Sequence, residues 1–220
     1  DMFGEMEEPG FKVFHMADID VRSTCKRFST CLAQIKNWSD RNSKHIPIII
    51  QIESKSGARL SVDESYQPTK SPKFTSKVWT KLEHEILSVF SREKIITPDD
   101  VKGNQKTLNA AIKKNGWPKL KDSLGKVMFI LIHSNEETDN YVGNSLKNKL
   151  MFVNVEKNTP NASFTMYTKP QNKKHFKKIV QSVKNGYLVY TRADADDESA
   201  FNNDKLRQRR AFSSGAQIIS

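Results

Sequence analysis

The run IPIIIQIE, Ile46–Glu53, constrains the fold more than any other stretch of this chain. Its near-continuous isoleucines imply a strand buried on both faces, the pattern of a parallel sheet covered by helices. Pro47 is tolerated because it falls at the first residue of such a strand. Further β-type runs recur at Phe11–Phe14, Gly125–Ile132, Lys149–Val155, Gly186–Arg192 and Gly215–Ser220. Helical patterns lie between them. They cover Phe28–Asp40, a stripe of Val78, Leu82, Ile86 and Val89 capped by Thr75, a short helix Gln105–Asn115 stopped by Gly116, and then His175–Asn185 and Asp204–Ser213. Lys55–Lys73 reads as a long polar loop. Six β-runs alternating with helices predict a parallel α/β architecture, either an open doubly wound sheet or a barrel. No Gly-rich dinucleotide fingerprint or Walker loop follows any strand, which weighs against nucleotide binding.

The 220 residues suit one large domain or two small ones. A net charge of +11 fits an anionic partner such as nucleic acid, a phospholipid surface or a phosphorylated substrate. The cluster KPQNKKHFKK reads as a solvated face, and no zinc-finger spacing or RNA-binding signature accompanies it, so nucleic acid is not expected. No apolar run is long enough to span a bilayer. The chain opens on Asp1 and closes on the apolar AQIIS, which reads as a fragment or processed form. Cys25 and Cys31 are too few for a zinc site and lack thioredoxin spacing. They are either two buried thiols or, in an extracellular protein, a short-loop disulfide. The triplets NWS at Asn37 and NAS at Asn161 are glycosylation acceptors and lean the same way.

Chemistry gathers at strand ends. His15, Glu53, His133, Asn154 and Arg192 each close a β-run, and in a (β/α)8 barrel the carboxyl ends of the strands form the active-site face. A carboxylate at Glu53, ending a wholly apolar strand, needs a cation, a metal or hydrogen-bond donors, unless the strand surfaces there and solvates it. Asp18 and Asp20 could gather a hard cation or form an Asx turn. In TRADADDES, Arg192 suits a phosphate, and Asp194 and Asp196 suit a hydroxyl-rich ligand or a structural pair with the arginine. No Ser-His-Asp order, HExxH or calcium-loop motif is present.

Read in order, PGFKVFHMADIDVRSTC, CLAQIKNWSD, HIPIIIQIESK, IITPDDVKG, GWPKL, GKVMFIL, YLVYTRADAD and GAQIIS resemble successive blocks of the calcium-dependent phosphatidylinositol-specific phospholipase C family first associated with bacteria. The resemblance implies a TIM-type (β/α)8 barrel over 1–220 as a single domain, with its first two strands missing. It further implies a phosphoric diester hydrolase that releases diacylglycerol and inositol phosphate by histidine acid–base catalysis with Ca2+. By position His15 is the acid that protonates the leaving oxygen and Glu53 a calcium ligand, with Lys55, Arg192, Asp194 and Asp196 as substrate contacts. A secreted or lumenal monomer acting on phospholipid at a membrane surface is expected. Three blocks depart from the family: nothing matches HNSYH or LEID, and LIHS, Leu131–Ser134, stands where LDN is common. The alternatives are a glycerophosphodiester phosphodiesterase and a non-catalytic barrel that binds anionic lipid.

Overall fold

The structure is a computed structural model. It describes residues 2–3, 10–57, 68–133, 135–194, 201 and 205–220, and the observations below concern these. The chain divides into two compact units, Asp1–Asp100 with Pro118–Phe152, and Val101–Trp117 with Val153–Ser220.

In the first unit β1 (Met2–Phe3) pairs antiparallel with β2 (Lys12–Val13). Next come α1 (Phe28–Arg41), β3 (Ile48–Ile52), α2 (Ser76–Val89), β4 (Ile95–Ile96), α3 (Pro98–Lys102), α5 (Leu120–Ser123), β5 (Val127–Leu131), α6 (Glu136–Val142) and β6 (Met151–Val153), with α4 (Leu108–Asn115) intervening in the chain but belonging to the second unit. Strand β5 lies between β3 and β4, parallel to both, and also pairs with β6. All five residues of β5 are buried, whereas in β3 only Ile52 is. The isoleucine run predicted burial on both faces. The difference follows from β3 standing at the edge of its sheet, with one hydrogen-bonded neighbour instead of two.

Helix α2 starts where Thr75 accepts the Val78 N–H, as expected, and buries Trp79, Leu82 and Ile86. Trp79 stands at the centre of an aromatic row, 4.5 Å from Phe74 and 5.5 Å from Tyr141 between ring centroids. Buried acids pin this core. Glu83 accepts the Tyr141 hydroxyl and the Leu150 N–H, both at 2.7 Å, while Glu137 accepts the Ser54 hydroxyl at 2.6 Å and the Phe74 N–H at 3.2 Å. Burial, and then the Glu83 carboxylate, push the Tyr141 phenol well above its ordinary range. Strand β4 and helix α6 were not expected from the sequence. The first is two residues long, and the second, EETDNYV, carries too few apolar residues for a stripe, its start set instead by the Asn135 side chain capping Thr138.

In the second unit β7 (Phe164–Met166), β8 (Leu188–Thr191) and β9 (Ile218–Ile219) form a parallel sheet, with α7 (Lys173–Lys184) between β7 and β8 and α8 (Leu206–Ser213) between β8 and β9. Strand β7 was missed by the six-run reading, because the short segment mixes Ser and Thr with its apolar residues. Helix α4 begins at Leu108, capped by Thr107 rather than at Gln105, and stops at Gly116 as expected. Asn109 locks this unit by donating to the Ala162 carbonyl and the Tyr187 hydroxyl, both at 2.8 Å.

Candidate active site

Register brings the first unit's candidates together. Ile52 of β3 stands opposite Leu131 of β5, so Glu53 and His133 leave adjacent parallel strands at the same end. His133 Nε2 lies 3.0 Å from Glu53 Oε1, with both side chains about 70% buried (28% and 31% exposed). The hydrogen bond from His133 holds the Glu53 carboxyl below the usual carboxylate range; partial burial opposes this, and the Lys55 ammonium adds to it. The His133 backbone is held in turn, its carbonyl accepting the Thr138 hydroxyl at 2.7 Å. Nothing in the sequence marked this pairing, but aligning the ends of the two strands would have found it.

Lys55 joins this pair to β2. Its buried Nζ donates to the His15 carbonyl at 2.7 Å and stands 4.0 Å from Glu53 Oε2. His15 follows β2 at the neck of a tight hairpin closed by Met16 and Asp20, which exchange backbone hydrogen bonds. Across the hairpin His15 Nδ1 meets Asp20 Oδ2 at 3.1 Å, with side chains 64% and 53% exposed. A proton held on Nδ1 by the carboxylate leaves Nε2 as the exchanging nitrogen. Asp18, at a left-handed φ of 69°, accepts the N–H and hydroxyl of Thr69 at 2.8 and 2.6 Å. The two carboxylates are thus engaged with Thr69 and with His15, contacts that neither the cation nor the Asx-turn reading named.

The disulfide Cys25–Cys31 closes the segment after the hairpin onto the first turn of α1, its Cα atoms 5.4 Å apart, so the short-loop alternative is the correct one. Asn37 lies exposed within α1, its Oδ1 engaged by Arg41, while Ser39 of the same triplet is buried against His45 at 2.7 Å; Asn161 is half-buried before β7. In the second unit Arg192 follows β8 half-buried, and its buried Nε has no hydrogen-bond partner among the described residues. Asp194 is exposed, and no ion pair joins it to Arg192 among the described residues. Asp196 lies outside them.

Calcium takes six to eight oxygen ligands. Glu53 fits one of them, but its neighbours here are two nitrogen groups. Among the described residues, no set of three or more His, Cys, Asp or Glu lies close enough to hold a metal ion. The described residues therefore do not make up a calcium site by themselves.

Parallel strands followed by helices, with a histidine and a carboxylate raised at strand ends, define an α/β fold of the phospholipase C type. Solved structures agree. The chain matches a Ca2+-dependent phosphatidylinositol-specific phospholipase C from Streptomyces antibioticus with a TM-score of 0.71 at 16% identity, over 100% of this chain and 82% of that one. It matches a calcium-dependent phosphoinositol-specific phospholipase C from a Gram-negative Pseudomonas sp. with TM-scores of 0.60 and 0.59 in two crystal forms, at 18% and 19% identity over 88% of this chain. The chain spans 65% of the length of that Pseudomonas enzyme. No curated protein matches the sequence at a significant level. Residues 1–220 match the family described as Phosphoinositide phospholipase C, Ca2+-dependent, and the chain belongs to it.

Proposed function

We propose that this chain carries the proton-donating half of a phospholipase C-type active site that cleaves phosphatidylinositol, or a related phosphodiester, to diacylglycerol and inositol phosphate. The observation that carries the reading is the exposed His15 held by Asp20 and tied through Lys55 to the Glu53–His133 pair. His15 protonates the departing glycerol oxygen from Nε2, and Asp20 stabilises the imidazolium that this step consumes. Lys55 serves as a cationic contact for the phosphate. Arg192, in the second unit, is proposed in its own right as a substrate contact, supported by its buried Nε, which has no hydrogen-bond partner among the described residues. Asp194 and Asp196 are proposed inositol contacts. No residue is assigned here as the base for the attacking hydroxyl.

Calcium is retained as the family's cation, which supplies charge stabilisation at the phosphate when bound. Glu53 is the one oxygen ligand proposed from this chain, and no step above is routed through the ion. The proposed setting is a secreted or lumenal one, supported by the disulfide. The closed Glu53–His133 contact favours a second reading, a non-catalytic barrel that holds anionic lipid. The test, made on the full-length protein that contains this chain, is inositol phosphate release from phosphatidylinositol and from glycerophosphoinositol, with calcium and with chelator. The proposal expects release from the lipid, lost on chelation and lowered at least a hundredfold in His15→Ala. Preference for glycerophosphoinositol assigns the alternative substrate. Release indifferent to both chelator and His15→Ala defeats the mechanism, and no release alongside lipid binding favours the second reading.

A further inference from the structure

The net charge of the chain is almost entirely that of its second unit. That unit holds sixteen Lys and Arg against six Asp and Glu, whereas the first holds twenty against nineteen. Five of the six acids fall between Asp194 and Asp204, leaving Glu156 as the other. Helices α7 and α8 consequently contain no acidic residue. On α1, by contrast, Lys36 pairs with Asp40 one turn along the same helix. On α7 none is available to Lys173, Lys174, Lys177 and Lys178, all exposed. The two helices meet where the Arg210 guanidinium lies 4.8 Å from the centroid of the Phe176 ring, so their cations belong to one surface. Phe212, 65% exposed, lies on α8 one turn from the exposed Arg209.

A solvated helix face needs neither a missing complement of acids nor an exposed phenylalanine. We propose that the α7–α8 face docks the protein onto an anionic lipid surface, with Phe212 entering the headgroup region. Lysine predominates over arginine on α7, which suits a diffuse field of lipid charge better than bidentate recognition of single phosphates. Both helices follow their strands in parallel β/α units, so their amino-terminal ends lie at the same end of this sheet as Arg192. Phe212, in the last turn of α8, lies toward the other end, so the docking surface is the flank of the two helices and not that rim. The choice of lipid among polyanions rests on the phospholipase reading; the charge and the exposed phenylalanine do not.

The test is vesicle co-sedimentation of the full chain. It uses phosphatidylcholine vesicles with and without phosphatidylserine, and no phosphatidylinositol, so that binding is scored apart from cleavage. Binding is expected only to the anionic vesicles and should weaken steeply with salt. Each lysine near such a surface contributes on the order of a fivefold factor, so the quadruple variant K173Q/K174Q/K177Q/K178Q should lose about a hundredfold or more. Phe212→Ser should lose about tenfold, while His15→Ala should bind unchanged even if it abolishes cleavage. Circular dichroism of the quadruple variant checks its fold, and the salt dependence of the unaltered chain stands without it. Equal binding to neutral vesicles, undiminished binding of a folded quadruple variant, or capture by heparin with none by vesicles would overturn the proposal.

Discussion

Removing the Glu137 carboxylate should show what holds the end of β3 in place. Ser54 follows Glu53 directly, and its buried hydroxyl donates to Glu137 at 2.6 Å across 83 residues of chain. The same carboxylate accepts the Phe74 N–H. Glu137→Ala leaves both donors buried without an acceptor, at about 1–3 kcal/mol each; no longer burying the carboxylate offsets part of this, for a net loss of about 3 kcal/mol. Ser54→Ala removes one donor and leaves Glu137 its Phe74 partner, so its cost should be about 1 kcal/mol. The double variant should then show a coupling of about 1–2 kcal/mol, as a short hydrogen bond to a carboxylate warrants. Urea denaturation of the four proteins measures this cycle. The Trp79 indole bonds the Glu137 backbone carbonyl at 2.8 Å and survives both changes, so its fluorescence reports unfolding throughout. A loss below about 1 kcal/mol for Glu137→Ala, or a coupling within error of zero, would refute the assignment of this pair as the anchor behind Glu53.

Three further outcomes are expected. At Gly125, φ is 69° and an added Cβ would stand 2.3 Å from the Ser43 carbonyl oxygen, so Gly125→Ala should cost about 2–4 kcal/mol in thermal or chemical denaturation. Asp100 has its carboxyl raised by burial but lowered more by the Arg92 and Thr97 hydrogen bonds and the Arg92 charge, with a net downward shift. Its contribution is therefore full above the ordinary carboxylate range and fades as pH falls through the depressed value. Asp100→Asn should cost about 0.5–1 kcal/mol near neutrality, discounted for its 42% exposure, and close to nothing in strong acid. Asp20→Asn should lower turnover about tenfold with little change in KM, and stability should move by less than about 0.5 kcal/mol because the pair is exposed. Equal loss of turnover and stability would mark Asp20 as structural only.

Local signals carried much of the architecture. The spacing of Val78, Leu82 and Ile86, the caps at Thr75 and Gly116 and the apolar run into Leu131 each depend on residues within a few positions of one another, so helix and strand were legible there. So was the placing of His15, Glu53 and Arg192 at strand ends, and with it the family. Elements too short or too polar to show a period, β4, β7 and α6, escaped. Side-chain partnerships were beyond local reading as well: Glu53 and His133 stand 80 positions apart, and Lys55 reaches His15 across 40. Strand register decides which of these side chains meet, and register is set by the packing of whole strands, with a one-residue slip sending every side chain to the opposite face. The sequence alone therefore determined which residues could do chemistry at the strand ends. The tertiary structure decided that Asp20 holds His15, that Glu53 faces His133, and that α7 and α8 pool their charge on one surface.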